Sequence, residues 1–212
     1  MVLGENSNVR AIMFDMGNVL IDLDVQRGID AFIRDAGLMT IGEVLDPCHQ
    51  RGYFGDFEAG RIDDNQFCTE CIRRSRPGTT RETISECIHQ MLVGIAPEKP
   101  LLLNRLKEHC DLCLLTNNNP IAMFYCSRMF ADSGIPLDVT FKHLFYSYRM
   151  KTMKPSPEFF LKSVEQTGYS PQEIVFVDDS MLNVNAALEL GIDARYYKPG
   201  SSLEAVLQPQ WD

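Results

Sequence analysis

A short apolar segment that ends in an acid, Ala11–Phe14 followed by Asp15, constrains the fold of this chain more than any other stretch. A run of four apolar residues closed by turn-forming residues is typical of a fully buried strand. We therefore predict a strand over Ala11–Phe14 that leaves the sheet at Asp15. Ligands of open α/β sheets bind at the carboxyl ends of the strands. Asp15 is thus the first candidate for chemistry.

Further predicted strands alternate with helical patterns in the second half of the chain. They cover residues 112–115, 143–147, 174–177 and 194–197. Strands that are apolar throughout and alternate with helices predict an α/β fold with a doubly wound parallel sheet, covered by helices on both faces.

The segment 23–96 interrupts this alternation directly after the first strand. It shows helical spacings, a turn-rich stretch over residues 53–63 and no convincing buried strand. It is too long to be a loop. We predict an α/β core made of residues 1–22 and 97–212, and a helical cap over residues 23–96 that lies above the strand ends.

Composition and charge restrict the partners. The chain has 212 residues, of which 45% are hydrophobic, and a formal net charge of −9. This acidic balance argues against nucleic acid and against an anionic membrane as main partners. The sequence has no run of 18 apolar residues and no apolar signal core near its start. We expect a cytoplasmic monomer or homodimer that acts on a small molecule.

Seven cysteines are spread along the chain, and four of them form two CxxC pairs, Cys68/Cys71 and Cys110/Cys113. A zinc site is one interpretation. In the other interpretation, the cysteines serve as small apolar residues on a helix and around a strand. We favour this second interpretation because the two pairs lie too far apart for a zinc ribbon.

Polar side chains follow three of the predicted strands, and one lysine lies in a proline-rich loop. They are Asp15, Thr116, Asn117, Asp178, Asp179 and Lys154. If the strands are parallel, these groups meet at one edge of the sheet. A carboxylate there can act as a nucleophile, several acids together need a cation, and oxygen ligands suit Mg²⁺. The hydroxyl of Thr116, the Asn117 N–H and the Lys154 charge suit a phosphate. Together the groups predict phosphoryl transfer to an aspartate.

In these stretches the chain resembles the haloacid dehalogenase superfamily of aspartate-nucleophile hydrolases, and more narrowly its sugar-phosphate phosphatases with the motif FD-x-GNV. The first motif is similar to residues 14–20, the second to residues 115–117, the third to Lys154-Pro155, and the fourth to residues 177–180 with Asn183. The family's helical cap is inserted after the first motif.

The resemblance implies a Mg²⁺-dependent phosphatase for a small phosphorylated metabolite. Asp15 would attack phosphorus and form an aspartyl phosphate, which water then hydrolyses. Mg²⁺ would be held by Asp15, the Gly17 carbonyl and Asp179, with Asp178 outside the direct ligands or bridged by water. Thr116, Asn117 and Lys154 would bind the phosphate, and Lys154 would hold it against Asp15.

One position departs from the family pattern. Most phosphatases of the superfamily carry a second Asp two residues after the nucleophile as general acid and base, and here that position is Gly17. Three explanations compete. In the first, Asp22 or Asp24 reaches back into the site as the acid. In the second, the leaving group needs no proton, as in an anomeric sugar phosphate or a phosphoanhydride, and in the third the enzyme is inactive or altered. We favour the second explanation, and treat Asp22 and Asp24 as solvated or capping residues.

Other functions remain open at this point. Ordinary loop acids on a doubly wound fold would give a similar pattern without any activity. A metal-independent haloacid dehalogenase shares the nucleophile, a phosphomutase shares the chemistry but needs a proton donor, and a phosphometabolite sensor binds without turnover. Substrate choice is expected to lie in the cap, where we assign no role to the candidates Arg51, Tyr53, Phe54, Phe57 and Glu58.

Overall fold

A five-stranded parallel sheet forms the centre of the protein. The computed structural model describes residues 8–46 and 50–207. The strands, in chain order, are β1 Ala11–Phe14, β2 Asp22–Leu23, β3 Leu92–Gly94, β4 Asp111–Thr116, β5 His143–Tyr146, β6 Ile174–Asp178 and β7 Asp193–Tyr196. The sheet has the order β5-β4-β1-β6-β7, and β2 pairs with β3 in a separate two-stranded sheet. The predicted fold class is confirmed.

The helices connect the strands and cover both faces of the sheet. They are α1 Val25–Ala31, α2 Gly52–Glu58, α3 Asp64–Arg74, α4 Arg81–His89, α5 Glu98–Leu106, α6 Pro120–Asp132, α7 Leu137–Thr140, α8 Ser147–Met150, α9 Pro157–Thr167, α10 Met181–Glu189 and α11 Leu203–Leu207. None of the helices in the described part of the chain is long and apolar enough to span a membrane.

Successive residues of β1 contact opposite faces of the sheet, as the alternation of side chains along a strand requires. Ile12 and Phe14 pack in a cluster with residues of α5 and α6, whereas Ala11 and Met13 pack in a second cluster with residues of α9 and α10. All four side chains are fully buried. Burial on both faces explains why the strand is apolar throughout.

The register of the sheet brings the strand ends to one level. Phe14 pairs with Leu114 of β4 on one side and with Val177 of β6 on the other. The residues that follow, Asp15 and Asp178 among them, therefore emerge side by side at the carboxyl edge.

The helices between β1 and β4 have a hydrophobic cluster of their own. It includes Phe32, Phe57, Phe67 and Ile84, and Ala122 of α6 packs against it. Cys68 and Cys71 are buried in it on α3, as expected for small apolar residues. The limits of the predicted cap, residues 23 and 96, stay a prediction.

Three elements of this region, α2, β2 and β3, differ from the sequence prediction. Residues 52–58 form the helix α2, although residues 53–63 were predicted to be a turn-rich stretch. Burial of Phe54 and Phe57 against Phe67 stabilises the helix in spite of its two glycines. The strands β2 and β3 are only two and three residues long, too short for a periodic pattern.

Candidate active site

A cleft of about 760 Å³ lies at the carboxyl edge of the sheet. Of the predicted site residues, Asp15, Gly17, Thr116, Asn117, Lys154 and Asp179 line it. The Asp15 N–H donates to the Val177 carbonyl (2.9 Å), so the nucleophile candidate is still fixed to the sheet by its backbone. Asp178 lies beneath the cleft surface and is fully buried.

Lys154 forms the centre of a buried ion cluster. Its Nζ lies 2.7 Å from Asp15 Oδ1 and 2.6 Å from Asp178 Oδ2. The lysine itself is only 3% exposed. One ammonium group therefore bridges two carboxylates that would otherwise repel each other in a site with little water.

The remaining hydrogen-bonding capacity of Asp178 is used by its own strand–helix turn. The Ser180 N–H donates to Asp178 Oδ1 (2.8 Å), and the Asn183 amide donates to both carboxylate oxygens (3.0 and 3.1 Å). Asp178 thus holds Lys154 in place and is itself held by Ser180 and Asn183. This agrees with a position outside the direct metal ligands.

Asp179 is oriented by the loop that follows β1. The Asn18 amide donates to Asp179 Oδ2 (3.0 Å), and Asn18 adopts a left-handed backbone with φ 56°. Asparagine tolerates this conformation better than most residues. Asn18 lies within the first motif, which was the available signal, but no role of its own was predicted for it from the sequence.

The side chain of Asn117 binds protein, not the cleft. Its Nδ2 donates to the Lys154 carbonyl and its Oδ1 accepts from the Lys154 N–H, each at 2.9 Å. Both ends of the Asn117 amide are therefore directed at the backbone of Lys154. Thr116 is 1% exposed, and its hydroxyl donates over 3.3 Å to the Asn117 carbonyl.

The electrostatics of the cluster show an excess of negative charge. Burial raises the pKa of Asp15 above its ordinary range. Lys154 opposes this rise, whereas the carboxylates of Asp178 and Asp179 add to it. Burial disfavours the charge on Lys154, yet the two carboxylates beside it outweigh burial and raise its pKa. A site of this kind favours a bound cation.

Asp15 and Asp179, the two acids whose oxygens are not fully used within the protein, are also close enough to share a metal ion. Oxygens of Asp15, Asp178 and Asp179 all lie within 4.8 Å of one another. Hard oxygen ligands of this kind are those that Mg²⁺ prefers. The donor set therefore fits the predicted cofactor.

Glu58, the last residue of α2, brings a further carboxyl group to the same cleft. No described residue forms a hydrogen bond or an ion pair with its side chain. Burial, together with the charge of Asp15, raises the pKa of Glu58 to about 8. Glu58 is one of the candidates in the predicted cap, and no sequence pattern around it indicates a role.

Asp22 and Asp24 are engaged away from the nucleophile. Asp22 forms an ion pair with Lys99 (2.8 Å), and the side chain of Asp24 caps α1 by accepting a hydrogen bond from the Arg27 N–H (2.9 Å). The interpretation of Asp24 as a capping residue is confirmed.

Haloacid dehalogenase-like hydrolases are the family that matches this chain, over residues 9–191, and the chain belongs to that family. The parallel sheet and the acids at its carboxyl edge are thus the core and the candidate site of a hydrolase.

Individual relatives are similar over nearly their whole length. A D-ribitol-5-phosphate phosphatase of Bacteroides thetaiotaomicron is 32% identical over 87% of this chain and 90% of its own. A HAD family enzyme of the same species, solved in its wild-type form with magnesium and inorganic phosphate, is 31% identical with a TM-score of 0.85, over 92% and 97% of the two chains. A predicted HAD-like hydrolase of Porphyromonas gingivalis is 32% identical with a TM-score of 0.85, over 94% and 97%.

Proposed function

We propose that this chain is a Mg²⁺-dependent phosphatase that hydrolyses the phosphate monoester of a small sugar or polyol phosphate, with Asp15 as nucleophile. The observation that carries this proposal is the buried bridge of Lys154 between Asp15 and Asp178, with Asp179 beside it. The phosphatase from Bacteroides and the structure solved with magnesium and phosphate support the reaction type and the metal.

Asp15, the Gly17 carbonyl and Asp179 are the proposed ligands of Mg²⁺. Asp178 is excluded from this set because Lys154, Ser180 and Asn183 already use its oxygens. When bound, the metal neutralises negative charge between the nucleophile and the phosphate.

The phosphate is proposed to bind through the Thr116 hydroxyl, the Asn117 N–H and the Lys154 ammonium. Lys154 offers a charge that is already fixed by two ion pairs, so little reorganisation is needed when negative charge shifts during transfer. Asn117 contributes indirectly as well, because its amide fixes the backbone of Lys154.

The reaction proceeds in two displacements. An Asp15 oxygen forms a bond to phosphorus while the bond from phosphorus to the leaving oxygen breaks, and that oxygen takes up a proton. Water then attacks the aspartyl phosphate, which regenerates the Asp15 carboxylate and releases dihydrogen phosphate.

Gly17 leaves open how the leaving oxygen is protonated. The hypothesis of an acidic leaving group, such as that of an anomeric sugar phosphate, requires no donor. A polyol monoester has a poor leaving group and requires one. We propose the wider substrate class of sugar and polyol phosphates because the cleft contains Glu58, whose carboxyl group has no partner among the described residues.

Phosphate release from a panel of sugar phosphates, ribitol 5-phosphate, an anomeric sugar phosphate and pyrophosphate tests the proposal, with Mg²⁺ and with EDTA. We expect release that requires Mg²⁺ and that falls about 10³-fold or more in Asp15→Asn. Asp132→Asn, a change at an exposed helix end, serves as the matched control and is expected to retain wild-type activity.

The competing functions give different results in the same experiment. Halide release without metal from a haloacid would indicate a dehalogenase. Binding of Mg²⁺ and phosphate with no turnover of any substrate would indicate a sensor. Either result contradicts the proposed phosphatase.

A further inference from the structure

We infer that Glu58 is the proton donor to the leaving oxygen, in place of the carboxyl group that Gly17 lacks. This inference rests on the proposed phosphatase function and assigns a further catalytic residue to it. Glu58 lines the same cleft as Asp15, Thr116 and Lys154. Apart from the acids at the strand ends, it is the one carboxylate among the described residues that line this cleft.

The carboxyl group of Glu58 is free to act. Within the described chain, no side chain or backbone group forms a hydrogen bond or ion pair with it, whereas Asp178 and Asp179 are held by Asn183 and Asn18. Apolar side chains, among them Phe54, line the cleft nearby. Such surroundings disfavour the ionised form. The raised pKa of about 8 keeps Glu58 protonated at neutral pH, as a donor must be.

The backbone of Glu58 is fixed to the α/β core. The Ser147 hydroxyl donates to the Glu58 carbonyl (2.6 Å), and the Asn118 N–H donates to the same hydroxyl (3.0 Å). Ser147 is fully buried. A short chain of hydrogen bonds thus connects Glu58 to the loop after β4, which begins with Asn117.

A second contact lies two residues beyond Glu58. The Lys151 ammonium donates to the Gly60 carbonyl, and a side chain at Gly60 would meet the Tyr148 carbonyl oxygen. The end of α2 is therefore packed closely against α8. This close packing gives Glu58 a defined position relative to the nucleophile.

The first loop offers no carboxyl group for this role. Gly17 has no side chain, and a Cβ atom there would lie 2.8 Å from the end of the Leu23 side chain, which would have to move. Asp22 and Asp24 are bound to Lys99 and to the start of α1. The cap is the remaining source of a donor.

The proton balance of the reaction closes with Glu58 alone. In the first displacement the Glu58 carboxyl proton passes to the leaving oxygen as its bond to phosphorus breaks, which gives a neutral alcohol and an ionised Glu58. The dihydrogen phosphate formed in the second displacement returns a proton to Glu58 and leaves as hydrogen phosphate.

The test compares Glu58→Gln with the wild type across leaving groups, by measuring first-turnover release of the alcohol or phenol with Mg²⁺ present. For a polyol phosphate we expect release to slow about 10²- to 10⁴-fold, and for p-nitrophenyl phosphate, whose leaving group needs no proton, less than about threefold. Retained p-nitrophenol release shows that the variant is folded and that its nucleophile works.

Two further variants complete the test. Ser147→Ala keeps the carboxyl group but loses its anchor, and is expected to show the same selective loss to a smaller degree. Glu43→Gln, a change at an exposed residue of the same helical region, is expected to leave every rate unchanged.

Results that overturn the inference are distinct from failure of the phosphatase proposal. An equal loss for all leaving groups, or no loss for the polyol phosphate, removes Glu58 as the donor while the wild type remains an active phosphatase. Loss of all activity in both Glu58→Gln and Glu58→Asp also overturns it. A wild type without phosphate release refutes the proposed function itself.

Discussion

Lys154 combines two tasks in one side chain. It neutralises two buried carboxylates, and it is proposed to hold the phosphate beside one of them. Its ion pairs with Asp15 and Asp178 are 2.7 and 2.6 Å long and lie almost out of contact with water. A buried charge that loses its partner is costly, because neither water nor another charge compensates it.

We therefore expect Lys154→Met to reduce the free energy of unfolding by about 3–5 kcal/mol, since it leaves two carboxylates without their cation. Lys162→Met is the control, because Lys162 forms an exposed pair with Glu158 whose loss is expected to cost less than about 1 kcal/mol. Urea unfolding at pH 7 in EDTA measures both. Equal effects of the two substitutions would contradict the central role of the bridge.

The helix α2 shows how an element without a strong local signal acquires its conformation. Its seven residues include two glycines, which disfavour a helix. Phe57 stacks on Phe67 with ring centroids 4.3 Å apart, and Phe54 meets the same ring edge-on at 5.3 Å. Packing of the two aromatic rings fixes the helix, and Glu58 follows directly after Phe57.

The chain directly after α2 should be sensitive to any atom added at Gly60. Gly60 has φ 64°, and a Cβ atom there would lie 2.1 Å from the Tyr148 carbonyl oxygen. Gly134 has a similar φ of 76° but no atom within 4 Å of the added group. We expect Gly134→Ala to reduce the free energy of unfolding by about 1–2 kcal/mol through backbone strain alone. Gly60→Ala should reduce it further, because the backbone must also move to make room for the Cβ atom.

Thermal unfolding and polyol phosphate turnover of both variants check this expectation. Gly60→Ala should also lose turnover, since Glu58 lies two residues away, whereas Gly134→Ala should retain it. Equal stability of the two variants would show that α2 and α8 are not packed as closely as described.

At the scale of the molecule, three hydrophobic clusters surround one charged edge. Two of them cover the faces of the sheet, and the third fills the helical region between β1 and β4. The strand ends meet between these apolar masses, so the acids there are poorly solvated. A cation that binds the folded site and not the unfolded chain must then stabilise the whole protein.

We expect Mg²⁺ at about 100 times its dissociation constant to add about 2.7 kcal/mol to the free energy of unfolding. Asp179→Asn should lose most of this gain, since it removes a proposed ligand. Asp138→Asn, a change at an exposed residue, should retain it. Urea unfolding with and without Mg²⁺ provides the comparison, and an equal gain in both variants would contradict the proposed ligand set.

The sequence predicted those parts of the fold that have a strong local pattern. The strands β1, β4 and β6 were found because they are apolar on both faces and end at polar residues. The shared edge of Asp15, Thr116 and Asp178 followed from their parallel arrangement. Their exact partners, such as Asn18 on Asp179, depend on loop conformations that no periodic pattern encodes.

The rest depends on contacts between distant segments. Glu58 reaches the cleft only because Phe54 and Phe57 pack on Phe67 and because Ser147, 89 residues further on, binds its carbonyl. Neither contact leaves a mark in the residues around Glu58. The pair β2 and β3 was missed for a similar reason, since antiparallel pairing over so few residues becomes visible only in three dimensions.

The two hydrogen bonds between Asn117 and Lys154 affect how a kinetic experiment at this site must be interpreted. Replacing Asn117 would release the loop that presents the lysine, so weaker substrate affinity and slower turnover would arise together. An observer who had only the rate constants would assign both losses to a contact between the amide and the phosphate. The geometry assigns them to a displaced ammonium group, and restoring the charge elsewhere in the cleft would not recover them.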